Sequence, residues 1–310
     1  MMNAINGTPS RRDDSRRYLR VILVTFLVLF SINTPAQDAT TVRFNIGHAE
    51  LTALQWSPVD ASKATIIALP WSGGTAIGYR TLGPLFAAAG YRLIALNPRG
   101  FSGSSGSLQN LTLHDYAADV AAVINALELD RVHMLGWALG NRVARMVATD
   151  HPDRVATVSL IAAGGMVPPL VPMAGSNRLF GEPDLPLAQQ IAFAREALFA
   201  SATADTIIEE FIDDLGYFQE ASAAQSAASR ATPVEQWWAG GNAPMLIVQG
   251  LDDKIAPPQN GVLMQEQFGE RIRIVNLDDV GHLMGLEKPG EVASAVLEFI
   301  SAHPIQPVAN

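Results

Sequence analysis

Apolar positions along this chain follow two alternating periods. Ala64–Leu69, Tyr91–Leu96, Arg131–Leu135 and Arg154–Ala162 are short, nearly continuous apolar runs with β-branched residues, the pattern of strands buried on both faces. Between them, Tyr79–Ala89, Thr112–Leu127 and Leu139–Thr149 carry the three-to-four spacing of amphipathic helices. Gly90 is placed to end the first helix as a C-cap, and Thr112 with Asp115 three residues on has the form of a capping box. Ahead of this block, Thr41–Gly47 and Leu51–Pro58 read as a hairpin through Gly47-His48-Ala49-Glu50. Strands alternating with helices predict parallel βαβ units with right-handed crossovers. The rhythm breaks from about Met166 to Asn242, where Pro, Ala and polar residues dominate and Leu187–Ser201 and Asp205–Leu215 read as helices. It returns with a strand at Met245–Gln249, a helix near Pro258–Phe268, a strand at Arg271–Leu277 and a last helix near Gly290–Ala302. The expected organisation is an α/β core formed by residues 37–165 and 243–303, a helical cap inserted at 166–242, and a flexible tail at 304–310.

The N-terminus departs from this pattern. Arg11, Arg12, Arg16, Arg17 and Arg20 precede an apolar run from Val21 to Ile32, and Thr34-Pro35-Ala36 follows with small residues. The run is short for crossing ~30 Å of hydrocarbon as a helix. Residues 1–36 are therefore expected to be a cleaved signal peptide, with an uncleaved N-terminal anchor as the alternative. Ser15-Arg16-Arg17-Tyr18-Leu19 is a partial match to a twin-arginine signal, with Arg20 where an apolar residue belongs. The expected product is periplasmic or secreted, with no stable membrane span after cleavage. The 310 residues include no cysteine, which excludes disulfides, thiolate nucleophiles and Cys-ligated metals. A net charge of −9 argues against a nucleic-acid partner.

Chemistry concentrates after the predicted strands. The strand ending at Leu135 must turn sharply into the helix beginning at Leu139, and Gly136 and Gly140 remove side chains that would clash in that turn. The residue at the apex, Ala138, is then held exposed in a strained conformation. Asp253 follows a buried strand by a short loop, with Asp252 the adjacent alternative. His282 lies just past the strand Arg271–Leu277. An Asp–His pair would orient an imidazole and stabilise its protonated form. The remaining histidines are weaker candidates: His133 belongs in a strand interior, His114 and His151 at helix ends, and His48 and His303 at the flanks of the domain. No spacing suits a metal site and no glycine-rich loop suits a nucleotide, so no cofactor is expected. Trp237-Trp238 is expected to pack the cap on the core, or else to line a pocket.

Taken together, Asn97-Pro98-Arg99-Gly100-Phe101-Ser102-Gly103-Ser104-Ser105, Gly136-Trp137-Ala138-Leu139-Gly140, Gly250-Leu251-Asp252-Asp253-Lys254-Ile255-Ala256-Pro257 and Gly281-His282 resemble the motifs of the α/β-hydrolase superfamily, over roughly residues 41 to 302. The resemblance implies the α/β-hydrolase fold, a mostly parallel sheet flanked by helices. It implies that Ala138 stands where the nucleophilic serine belongs, that Asp253 is the acid and that His282 is the base. It also implies an oxyanion site at the N–H of Leu139 with that of Trp71 or Ser72, and a pocket walled by Trp71 and Trp137. Three departures fall in one site: Ala138 for Ser, Pro70-Trp71 for His-Gly, and Asn97 for Asp. Such clustering reads as natural divergence rather than a single inactivating change. The first reading is a His–Asp general-base enzyme acting on a small apolar ester- or carbonyl-type substrate. The alternatives are a non-catalytic binder of small ligands and a serine hydrolase inactivated by Ser to Ala. Ser72 is near enough in the fold to consider as a replacement nucleophile.

Overall fold

The computed structural model describes residues 38–305; the expected signal segment and all but the start of the expected tail lie outside the described residues. The strands are β1 (Thr40–Asn45), β2 (Glu50–Trp56), β3 (Thr65–Leu69), β4 (Arg92–Leu96), β5 (Val132–Trp137), β6 (Val155–Ile161), β7 (Met245–Gly250) and β8 (Ile272–Leu277). They form one sheet in the order β1-β2-β4-β3-β5-β6-β7-β8. The two strands of the hairpin pair antiparallel, β2 pairs antiparallel with β4, and every pairing from β4 to β8 is parallel.

Both faces of this sheet are covered, which is why its inner strands lack polar alternation. On one face Ile66, Ala68, Leu93, Ala95 and Leu135 pack with Phe86 of α1 (Gly83–Ala88) and with Val296 and Phe299 near the C-terminus. On the other, Ile67, Leu69, Ile94, Leu96 and Met134 pack with Val120 and Ile124 of α2 (Leu113–Ala126) and Val143 and Met146 of α3 (Leu139–Asp150). The period-two alternation of strand side chains divides each run between two clusters. The capping box opens α2, with Thr112 accepting from the Asp115 N–H and Asp115 accepting from the Thr112 N–H.

The helix expected at Tyr79–Ala89 is shorter than its periodicity suggests. The chain makes a 3-10 turn at Ala76–Tyr79 and begins α1 only at Gly83. Pro84 has no N–H to offer the preceding turn and suits a first helical position. Gly83 lies flat on Trp56, where a Cβ would come within 2.2 Å of the indole.

Between β6 and β7 the chain makes α4 (Ala174–Gly181), α5 (Leu187–Ala197), α6 (Asp205–Asp213), α7 (Gln219–Ala231) and α8 (Val234–Trp237). Of these, α5 and α6 fall where the sequence led to expected helices, whereas α4, α7 and α8 lie in stretches that were expected only to belong to the insertion. The buried positions of α7 are Ala221, Gln225 and Ala228, a helical stripe without large apolar residues. After β7 come α9 (Gln259–Phe268), α10 (Met284–Glu287) and α11 (Pro289–Ser301). No helix among the described residues is long and apolar enough to cross a membrane.

His133 lies inside β5, 1% exposed, with Nδ1 2.9 Å from Thr157 Oγ1. Burial, helped by His303 and Arg131, pushes its pKa down to about 4. In acid the unfolded chain therefore takes up a proton that the folded chain refuses. Stability from this residue is present above the unfolded pKa of about 6.5 and is lost as pH falls toward about 4, roughly 3 kcal/mol in full. Urea midpoints at pH 7 and pH 4.5 should fall further for the native chain than for His133→Gln, by about 2 kcal/mol in unfolding free energy. Equal acid losses in the two proteins would refute this assignment.

Candidate active site

The turn from β5 to α3 is as tight as its glycines require. A Cβ on Gly136 would lie 2.5 Å from the Gly140 carbonyl oxygen, and one on Gly140 would lie 2.1 Å from the Leu69 carbonyl oxygen. Ala138 sits at the apex with φ 50° and ψ −107°, a backbone conformation that costs a non-glycine residue about 1–3 kcal/mol. Neighbouring bonds fix it: the Ala138 N–H donates to Ile161 O at 3.0 Å, and the Asn141 side-chain amide donates to Ile161 O and Ala162 O at 2.7 and 2.9 Å. Asn141 is fully buried.

Asp253 and His282 arrive from the loops after β7 and β8. Nδ1 of His282 is 3.0 Å from each carboxylate oxygen of Asp253. The carboxylate is 1% exposed and is held by the N–H groups of Ile255 and Ala256 at 2.9 and 2.8 Å, with the Gln249 amide at 3.3 Å. With Nδ1 beside a carboxylate, the proton belongs on Nδ1, and Nε2 on the other side of the ring is left with a free lone pair. Among the described residues Nε2 has no hydrogen-bond partner, and it is not among the buried unpartnered atoms. Asp252, the alternative acid, is exposed, and the carboxylate paired with His282 is that of Asp253.

The helical insertion secures the histidine loop. The N–H groups of His282 and Leu283 both donate to Leu198 O, at 2.8 and 3.1 Å. Glu287 accepts from the N–H of Gly281 and that of Ala200, both at 2.9 Å, and from the Thr203 hydroxyl. Burial pushes the Glu287 carboxyl above its usual range, against the opposing effect of those three donors. Glu287 belongs to no motif, so nothing in the sequence signals this link.

Leu139 is the first residue of α3, so its N–H has no intrahelical acceptor and lies at the positive end of the helix. Among the described residues the N–H groups of Trp71 and Ser72 have no acceptor, whereas that of Gly73 donates to Gln225 of α7 at 3.1 Å. Trp71 is 7% exposed, and its indole is received by Gly78, where a Cβ would come within 2.3 Å of the ring. Its ring meets Trp137 edge-on at 4.8 Å and Phe211 of α6 at 6.2 Å. Most of Trp71 is thus packing between core and insertion, although part of it lines the cavity.

Trp137, expected in the pocket wall, is a correction. It is fully buried, does not line the cavity, and donates its indole N–H to His282 O at 3.0 Å. As the last residue of β5 it points into the core while the chain turns at Ala138, so it supports the histidine loop from beneath. Trp237 and Trp238 are also buried, packed around the guanidinium of Arg145. Asn97 uses both ends of its amide, accepting from the Ala76 N–H at 2.7 Å and donating to Thr52 Oγ1 at 2.8 Å, which a carboxylate could not do. Arg99 of the same loop makes a buried bidentate pair with Asp119.

The parts meet at a cavity of about 660 Å³ at the carboxyl ends of the parallel strands, where open α/β sheets place ligands. Ser72, Ala138, Leu139 and His282 share its lining, and Phe180, Leu198, Ile255 and Leu283 give it an apolar wall. The insertion adds Gln219, Ser222, Ser226, Ser229 and Arg230 from one face of α7, and α3 adds Arg142. None of these residues stood out as a site residue in the sequence. The signal available was the polar stripe at residues 219, 222, 226, 229 and 230 in an alanine-rich helix.

The model of the alpha/beta hydrolase fold family matches residues 71–289, and the chain belongs to that family. A 2-hydroxy-6-oxononadienedioate/2-hydroxy-6-oxononatrienedioate hydrolase of Pseudomonas putida is 26% identical over 288 residues, which is 86% of this chain and 98% of that protein. A pyrethroid hydrolase of Sphingobium wenxiniae is 25% identical over 72% of this chain and 83% of its own length. Among solved structures, carboxylesterase CesB of Bacillus subtilis shares the fold with a TM-score of 0.71 at 18% identity, over 86% of this chain and 93% of that one.

Proposed function

We propose that this α/β hydrolase cleaves a small ester- or carbonyl-type substrate by general-base catalysis from His282 and Asp253, without a covalent intermediate. The observation that carries the reading is the buried Nδ1 contact at 3.0 Å to both Asp253 oxygens in a histidine that also lines the cavity. On an ester, Nε2 takes a proton from water as the water oxygen bonds to the carbonyl carbon. The N–H groups of Leu139 and Ser72 receive the developing oxyanion. The imidazolium then returns the proton to the departing alkoxide, so that ester and water become acid and alcohol. Asp253 holds the tautomer and stabilises the imidazolium while it exists. The methyl of Ala138 leaves the space over the base to water, and the apolar wall receives the body of the substrate.

Turnover of short p-nitrophenyl esters before and after incubation with excess fluorophosphonate tests this reading. Turnover should be unaffected, because no activated serine is available to be phosphonylated. Inactivation in step with labelling would overturn it and make Ser72 the residue to map. Ligand binding with no turnover of any ester would sink the hydrolytic reading and leave a binding protein.

A further inference from the structure

The cavity carries an unmatched positive charge. Arg142 follows Ala138 by four residues, so it stands one turn, about 6 Å, further along the same face of α3. Its guanidinium donates to Ser229 Oγ and lies 5.3 Å from the Trp237 ring. Behind it, the fully buried Arg145 stacks on that ring at 4.6 Å and donates to the carbonyls of Asn141 and Gly164. Arg230, next to Ser229 on α7, is exposed yet part of the lining, which places it at the solvent edge of the cavity.

No ion pair among the described residues includes Arg142, Arg145 or Arg230. Nor does any Asp or Glu among the described residues line the cavity. In a chain with 30 acidic residues against 21 Lys and Arg, that is an unusual neighbourhood. Burial pushes the pKa of Arg142 down, and burial with the nearby Arg142 pushes that of Arg145 down to about 9. Clustered, desolvated cations without a counter-charge are unfavourable unless an anion completes them. Arginine also presents the planar fork that matches a carboxylate.

The geometry points to an anion subsite in which Arg142 and Arg230, with the hydroxyls of Ser226 and Ser229, bind a carboxylate carried by the substrate. The substrate class is then an anionic ester or oxo compound, with a short carbon spacer between its carboxylate and the carbonyl that faces His282. The position of that carbonyl rests on the hydrolytic reading; the anion subsite does not. The same feature explains why the lining is only partly apolar, whereas the sequence led to the expectation of a small apolar ligand.

Calorimetric titration of the chain with 4-phenylbutyrate and with its neutral amide, 4-phenylbutyramide, tests the inference without turnover. The carboxylate should bind at least about tenfold more tightly at low salt, with the preference falling as salt rises. Arg142→Gln and Arg230→Gln should each reduce that preference severalfold, and His282→Ala should retain it. Arg230→Gln, at an exposed position, keeps the test open if Arg142→Gln does not fold. A carboxylate bound no better than its amide, or not at all, overturns the subsite, as does a preference untouched by both arginine substitutions. An anion preference without ester turnover would count against the hydrolytic reading alone.

Discussion

His282→Ala is expected to lower kcat on short p-nitrophenyl esters by about 10²–10⁴-fold, the usual contribution of a positioned acid–base group, with little change in KM. The imidazole lines the cavity and has a buried carboxylate 3.0 Å from Nδ1, which in the proposed mechanism stabilises the proton it gains. Its backbone is held independently of the ring, by Leu198 O to its N–H and by its own carbonyl accepting from Trp137. Truncation at Cβ should therefore leave the loop in place, and circular dichroism and the thermal midpoint should shift little. Asp253→Asn should also lower kcat, because an amide can orient the ring but stabilises its cation poorly. Combining the two should add little to His282→Ala, since the residues act as one unit. Full activity in His282→Ala would remove the mechanism. Losses that multiply in the double variant would show that Asp253 acts through something other than the histidine.

The sheet was legible because its strands are buried on both faces, so the runs at Ala64–Leu69 and Met245–Gln249 are continuous, too short for a buried helix and rich in β-branched residues. The site frame was legible for a related reason. Gly136 and Gly140 are dictated by neighbouring backbone that a Cβ would meet at 2.5 and 2.1 Å, which no other residue tolerates. What the sequence hid depends on the third dimension. In α7, Ala221, Gln225 and Ala228 pack inward where large apolar residues would mark a buried face, so only small and polar residues mark it. Its opposite face acquires meaning only because it comes to line the same cavity as Ala138. Trp137 was misplaced for a comparable reason: adjacency to the apex suggests the pocket, but strand alternation sends the side chain into the core. Glu287 joins Gly281 to Ala200 and Thr203 across long stretches of sequence, a link that no local pattern encodes.

Ala138→Ser is expected to raise turnover of p-nitrophenyl butyrate on the order of 10²–10⁴-fold, part of the roughly 10⁶-fold that a complete triad contributes elsewhere. The apex already sits strained in a sharp strand-to-helix turn, at φ 50° and ψ −107°, so the substitution adds one oxygen without asking the backbone to move. Residue 138 shares the cavity lining with His282 and Leu139. A hydroxyl there can donate to Nε2 and attack a carbonyl whose oxygen faces the first N–H of α3. Little stability should be lost, because the added atom projects toward the cavity rather than into packed side chains, and the thermal midpoint should stay within a few degrees. The variant should show a burst of p-nitrophenolate, the mark of an acyl-enzyme, and should become sensitive to fluorophosphonate in proportion to labelling at position 138. Both properties should vanish when His282→Ala is added. A variant that folds, binds 4-phenylbutyrate and yet gains no burst would mean that the N–H groups of Leu139 and Ser72 do not converge on a carbonyl oxygen. The water mechanism needs those same donors, so that result would count against ester hydrolysis by the native chain as well.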